Sequence, residues 1–105
     1  MTNIKINYIN SSGIGFRIQS VHFLKKHRES CLKLSFPVAD TIIDTHYKII
    51  VINSEKQDKS YICRAVWHEL TNAQLITIEK LEETFSNASD NISATIESGD
   101  NYYEQ

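Results

Sequence analysis

The residues best suited to chemistry lie near the start of the chain, in the segment 9–16 (INSSGIGF). Asn10, Ser12 and Gly15 form the pattern Asn-x-Ser-x-x-Gly. An amide and a hydroxyl can hydrogen-bond a ligand, and a glycine lets a ligand approach the backbone closely. The same residue types are typical of tight turns. A binding loop and a structural turn are therefore both open interpretations of this segment.

No catalytic or metal-binding pattern is present elsewhere in the sequence. The four histidines are scattered, and none lies at a metal-ligand spacing from another ligand on one element. The two cysteines, Cys31 and Cys63, fit no zinc spacing and are predicted to be reduced thiols on the inner faces of strands. We therefore expect a protein that is not an enzyme and holds no metal or cofactor.

Charge and hydropathy restrict the function further. All eleven Lys and Arg residues precede residue 81, so residues 1–87 carry eleven bases against nine acids, a net charge of +2. This excess of positive charge is weak, whereas nucleic-acid binding depends on strongly basic surfaces. We therefore do not expect a nucleic-acid partner. No apolar run approaches the ~20 residues needed to span a bilayer. No signal-peptide pattern opens the chain, so we expect a cytoplasmic domain without membrane insertion.

Alternation of apolar and polar residues predicts the elements that must position the motif. Six strands are expected, at residues 4–9, 16–20, 31–36, 46–52, 60–68 and 74–78. Short connections between them favour a small antiparallel six-stranded β-barrel, because parallel strands need long crossovers.

The segments between and after the strands have weaker patterns. Residues 38–45 are predicted to be a loop, and residues 21–30 fit an irregular crossover, a short helix or a strand end. Leu81 and Phe85 predict a short helix over 79–87, since residues four apart share a helix face. The polar residues 88–105 predict a disordered acidic tail that follows a barrel domain of residues 1–87.

The pattern of Asn10, Ser12 and Gly15 at a strand-to-strand turn in an all-β chain resembles the PilZ domain, a small bacterial β-barrel that often binds cyclic di-GMP. Residues 32–37 (LKLSFP) and 64–67 (RAVW) look like later strands of that family. The resemblance extends over roughly residues 4–81. It implies a regulatory role in motility, pilus or biofilm control. It also implies a nucleotide site at the three motif residues, to which Arg17 could add charge.

One family element is missing. The family pattern begins with Arg-x-x-x-Arg and a first strand, but only nine residues precede Asn10 and none is arginine. Paired guanidinium groups match phosphate and the guanine edge, and the single cation Lys5 cannot replace them. We therefore expect weak or lost nucleotide binding.

Without the family's first strand, the sheet should also have an open edge. Such an edge predicts a homodimer or a protein partner. The alternatives are a genuine cyclic di-GMP receptor module and a small RNA-binding β-barrel, in which exposed aromatic residues would stack on bases.

Overall fold

The computed structural model describes residues 2–19 and 27–98. Its elements in chain order are β1 (Thr2–Asn10), β2 (Gly13–Ile18), β3 (Glu29–Val38), β4 (Thr41–Gln57), β5 (Ser60–His68), α1 (Asn72–Ala88), a 3-10 turn (Ser89–Asn91) and β6 (Ser93–Ser98). The strands form a closed barrel in the order β1-β2-β5-β4-β3-β6, and every neighbouring pair is antiparallel. The predicted class, a small antiparallel six-stranded β-barrel with one short helix, is confirmed.

Alternation along the strands builds the core. In β2, Ile14, Phe16 and Ile18 point inward and are fully or almost fully buried, and β3 contributes Leu32 and Leu34 in the same way. Burial of such aliphatic and aromatic side chains provides the main driving force for folding.

The aromatic side chains expected in the core lie there as well. The rings of Tyr47 and Trp67 lie with their centroids 5.5 Å apart, at an interplanar angle of 56°. Trp67 is partly buried against the core, and Phe16 and Tyr47 belong to it. The three aromatic side chains that were predicted to pack in the core rather than to stack on bases therefore do pack there or against it.

The predicted sixth strand at 74–78 is wrong, because these residues belong to α1. Thr71 caps the helix: its hydroxyl accepts a bond of 3.1 Å from the backbone N–H of Gln74, whose side chain accepts one of 2.9 Å from the Thr71 N–H. This capping box fixes the helix start at Asn72, two residues before the segment that was predicted to be a strand. The burial pattern agrees with a helix, since Ile78 and Leu81 are buried whereas Ile76 is 54% exposed.

The predicted disordered tail is also wrong for residues 88–98, which include the last residue of α1, the 3-10 turn and β6. β6 lies between β1 and β3 and pairs with both, with Ile96 opposite Thr2 and Leu32. Ile92, Ala94 and Ile96 alternate into the core. The barrel domain thus extends to Ser98, and the remainder of the predicted tail lies outside the described residues.

The open edge expected beside β1 does not exist, because β6 occupies that position and closes the barrel. Residues 41–45, predicted to be part of a loop, begin β4, which forms a hairpin with β3 through the register pair Val38–Thr41. Of the segment 21–30, residues 21–26 lie outside the described part of the chain, and Glu29 and Ser30 begin β3. In residues 2–19 and 27–98, no helix is long and apolar enough to cross a membrane.

Candidate functional site

The motif forms the turn between β1 and β2. The Asn10 side-chain oxygen accepts hydrogen bonds of 2.8 Å from the Ser12 N–H and 3.1 Å from the Gly13 N–H. This is the local bonding by which Asn side chains stabilise turns. The Asn10 carbonyl in addition accepts a bond of 2.8 Å from the Trp67 indole N–H. The acceptors of Asn10 are thus engaged within the protein, which leaves its amide nitrogen to contact a ligand.

Gly15 lies within β2 rather than in the turn. It stands between Tyr8 on β1 and Arg64 on β5 in the strand register. A Cβ atom at this position would overlap the Tyr8 ring. The space that a glycine was expected to leave for a ligand is therefore filled by an aromatic side chain, and the glycine is explained by packing.

Arg17 does not join the site. It lies near the far end of β2 from the turn, where its guanidinium donates to the Ser60 hydroxyl and, at 3.4 Å, to the Gln57 side-chain oxygen. These contacts tie β2 to the turn between β4 and β5. Arg17, predicted to add charge beside the motif, is therefore not among the residues that line the cleft at the turn.

Arg64 occupies the position that Arg17 was expected to fill. A cleft of about 240 Å³ beside the turn is lined by Tyr8, Asn10, Ser12, Gly13, Ile52, Arg64, Ala65 and Val66. Arg64 is exposed and, within residues 2–19 and 27–98, its guanidinium has no side-chain partner. The alternation of residues 60–68 indicates that the Arg64 side chain points outward. It does not indicate that Arg64 lies beside Gly15, because that depends on the pairing of β2 with β5.

Four residues of neighbouring strands form what we call the outer row: Tyr8, Gly15, Arg64 and Asn53. A bulge at Ile52 brings Asn53 opposite Arg64. The outer row thus places a partly exposed aromatic ring and one guanidinium on either side of a residue without a side chain. Such an arrangement can hold one anionic group next to a planar group, since Arg binds phosphate and Tyr can stack.

A second polar cluster lies at the ends of β3 and β5. The His68 Nε2 atom is 3.6 Å from a carboxylate oxygen of Glu29 and 3.5 Å from one of Glu69. The ligand atoms of these three residues lie within 4.8 Å of one another. No sequence pattern indicates this cluster, because Glu29 lies on a different strand from His68.

Lys48 already neutralises part of this cluster. Its ammonium group lies 3.3 Å from Glu69 Oε1, and this contact raises the pKa of Lys48. All of these side chains are substantially exposed, so the cluster has the character of a surface ion-pair network.

The two cysteines differ from each other. Cys63 is completely buried in β5, as predicted, and burial raises the pKa of its thiol to about 11. Cys31 is exposed, so its predicted inner position is wrong. In β3 the inward phase belongs to Leu32 and Leu34, which leaves Cys31 on the outer face.

Residues 25–28 (KKHR) form a basic cluster in the sequence, and residues 25 and 26 lie outside the described part of the chain. Of its described members, His27 has a positive φ of 65° and donates its backbone N–H to the Val51 carbonyl at 3.0 Å. The segment thus rejoins the barrel beside β4.

Comparison with known proteins identifies no relative of this chain: no family model, no curated protein and no solved structure matches it. The resemblance to PilZ domains therefore rests only on the motif and on the strand segments 32–37 and 64–67 of the sequence.

Proposed function

We propose that this chain is a non-enzymatic regulatory β-barrel of PilZ type that acts in cyclic di-GMP signalling, in motility, pilus or biofilm control. Direct nucleotide binding is weak in this proposal, and the domain acts mainly through protein contacts. The motif at the turn between two barrel strands supports the family assignment.

The proposal of weak binding rests on the contacts that the motif residues already make within the protein. The Asn10 oxygen atoms are engaged in the turn and with Trp67, and Gly15 is covered by Tyr8. One guanidinium, that of Arg64, lines the cleft. Cyclic di-GMP carries two phosphates, so a single arginine neutralises half of its charge and cannot supply the paired contacts that make such binding strong.

Titration of cyclic di-GMP into the isotope-labelled chain, followed by NMR, tests this proposal. We expect fast-exchange shifts at the amides of Tyr8, Gly15 and Arg64, with a dissociation constant above roughly 100 µM, the range of few-contact binding. Arg64→Ala should abolish these shifts. Lys56→Ala is the matched control, because Lys56 is an exposed cation on β4 that does not line the cleft.

The second candidate function is a genuine cyclic di-GMP receptor, and the placement of Tyr8 and Arg64 on either side of Gly15 in the outer row favours it. A sub-micromolar dissociation constant that Arg64→Ala weakens would establish that function and overturn the weak-binding proposal. Shifts that are indifferent to Arg64→Ala would remove the cleft from both candidates.

A further inference from the structure

The first residues of β4 form a sheet edge. β4 pairs with β3 over residues 41–50, but its pairing with β5 begins only at Lys48. In the described part of the chain, no strand therefore covers the other side of residues 41–46. We call this stretch the free edge. The closed barrel lacks the open edge predicted beside β1 and has this one instead.

The orientation of the backbone on the free edge follows from one contact. The His46 carbonyl accepts a hydrogen bond of 3.0 Å from the Gln74 side chain, so it points away from β3. Backbone groups alternate in direction along an antiparallel strand, so the N–H and C=O groups of Ile42 and Asp44 point the same way. Within residues 2–19 and 27–98, no backbone group bonds to them on that side.

The side chains of the free edge do not protect it. Ile42 is 65% exposed and Ile43 is 37% exposed, and Val38 at the hairpin tip is 51% exposed. Natural edges are usually protected by Lys, Pro or a covering element. Residues 41–46 contain neither Lys nor Pro, and Gln74 covers only His46. Asp44 is charged, but its carboxylate accepts a hydrogen bond of 2.7 Å from the Ser35 hydroxyl on β3.

We propose that the free edge pairs with the same edge of a second copy of this chain, antiparallel about a twofold axis at Ile43. The inference rests on the proposed function in one respect, since it names the protein contact through which that domain acts. In this register the N–H and C=O groups of Ile42 in each copy bond to the C=O and N–H groups of Asp44 in the other copy. Two Ile43 side chains then face each other across the axis, where β-branched pairs stabilise strand pairing.

Charge opposes two of the other registers that the backbone permits. Only residues whose backbone groups point away from β3, which are the even-numbered residues of this stretch, can bond to the other copy. The twofold axis therefore passes through a residue and not between two residues. An axis at Asp44 would set two Asp44 carboxylates opposite each other, and an axis at Ile42 would set Asp40 opposite Asp44. A third register, with the axis at Thr45, would pair Asp44 with His46, whose outward carbonyl already bonds to Gln74. The axis at Ile43 instead places Asp40 opposite His46, which has Lys33 as its neighbour on β3.

The interface is small, and the expected dimer is correspondingly weak. Two strands of about six residues bury less than the ~1,000 Å² of stable complexes, so we expect a dissociation constant on the order of 100 µM. The net charge of −2 offers little long-range repulsion to oppose association.

Sedimentation equilibrium of the full chain between about 10 µM and 1 mM tests the proposal. The weight-average mass should rise from 12.1 kDa towards twice that value. Asp40→Lys should weaken association at least about tenfold, because it sets a cation against His46 and Lys33. Adding His46→Glu to that variant should restore association.

Two further variants separate edge pairing from other causes. Asp44→Pro removes an outward N–H, and its ring blocks the edge, so association should disappear while circular dichroism stays unchanged. Glu55→Lys is the matched control for charge, because Glu55 is exposed in the part of β4 that β5 covers. It should leave the dissociation constant unchanged.

A chain that stays monomeric at 1 mM would overturn the proposal, as would a dimer that Asp44→Pro leaves intact. Neither result depends on nucleotide. Failure of the dimer is therefore distinguishable from failure of the proposed function, which the cyclic di-GMP titration decides.

Discussion

The β1–β2 hairpin and the β3–β4 hairpin belong to the same barrel but treat their polar groups in opposite ways. At the β1–β2 turn, Asn10 satisfies two backbone N–H groups and accepts from Trp67, and Tyr8 covers Gly15. At the free edge, the backbone groups of Ile42 and Asp44 have no partner in the described part of the chain. The turn that carries the motif thus has its Asn10 acceptors bonded within the protein, whereas a segment that was predicted to be a loop has backbone groups that are unpaired among the described residues.

The difference shows that residue type alone does not locate an interaction site. Asn, Ser and Gly are used in both turns and ligand sites, and here the side-chain oxygen of Asn10 is engaged by the turn. Backbone groups remain available for pairing where a strand extends beyond its neighbour, and this depends on strand length and strand pairing rather than on a sequence motif.

A pair of proline variants would show the largest contrast between the two regions. Arg64→Pro lies in β5, which is paired on both sides, so it removes a ladder bond and should cost about 3 kcal/mol of unfolding free energy. Asp44→Pro acts on the free edge and should cost less than about 1 kcal/mol. Urea denaturation at low micromolar protein, where dimers dissociate, measures both. Equal losses would mean that the edge at Asp44 is covered.

A variant at Gly15 tests whether packing explains the glycine of the motif. Gly15→Ala should cost roughly 1–2 kcal/mol of unfolding free energy, because the new methyl group overlaps the Tyr8 ring and forces it to move. In a Tyr8→Ala background the same change should be nearly neutral, and this coupling can be measured in a double-mutant cycle. A cost that is the same in both backgrounds would mean that Tyr8 is not the reason for the glycine.

The two thiols sharpen the comparison through their reactivity. Cys63 lies next to Arg64 in the closed region and Cys31 on the outer face of the β3–β4 hairpin. A thiol reagent at pH 8 should therefore modify one cysteine of the native chain quickly, and Cys31→Ser should abolish that reaction. Cys63→Ser should leave it unchanged, since a buried thiol is inert. Rapid modification of Cys31→Ser would contradict the burial of Cys63.

The pKa of Cys63 also gives stability a pH dependence. Burial raises this pKa from 9.0 to about 11, so the folded chain keeps its proton where the unfolded chain loses it. Stability from this group is complete below pH 9 and is lost as the pH rises from 9 to about 11. The loss should be roughly 1 kcal/mol by pH 10. Cys63→Ser, compared with the wild type by urea denaturation, should lack this slope.

Much of the barrel could be predicted from local patterns, and the errors have physical causes. Strands with strong alternation, such as β1 and β5, were predicted close to their observed positions, whereas β2 begins three residues before its predicted start. The segment 74–78 was mistaken for a strand because its Ile and Thr residues favour β-structure. The capping box of Thr71 and Gln74 outweighs that preference, and the buried face of the helix follows Ile78 and Leu81.

β6 was missed because Ile92, Ala94 and Ile96 are separated by small polar residues and follow a polar stretch. Their alternation is visible in the sequence, but only the groove between β1 and β3 gives it an apolar surface to bury against. The candidate site follows the same division. Asn10, Ser12 and Gly15 are visible as a pattern, whereas Arg64 enters their neighbourhood through the pairing of β2 with β5.

The sequence by itself determined that this chain is an all-β domain, because period-two alternation is a local property of each strand. It also determined the β1–β2 turn, whose Asn side chain bonds to backbone groups two and three residues away. The tertiary structure decided what closes the barrel, which arginine stands beside the motif and where a sheet edge stays open. Those features depend on contacts between residues far apart in the chain, and no local pattern records which strands become neighbours.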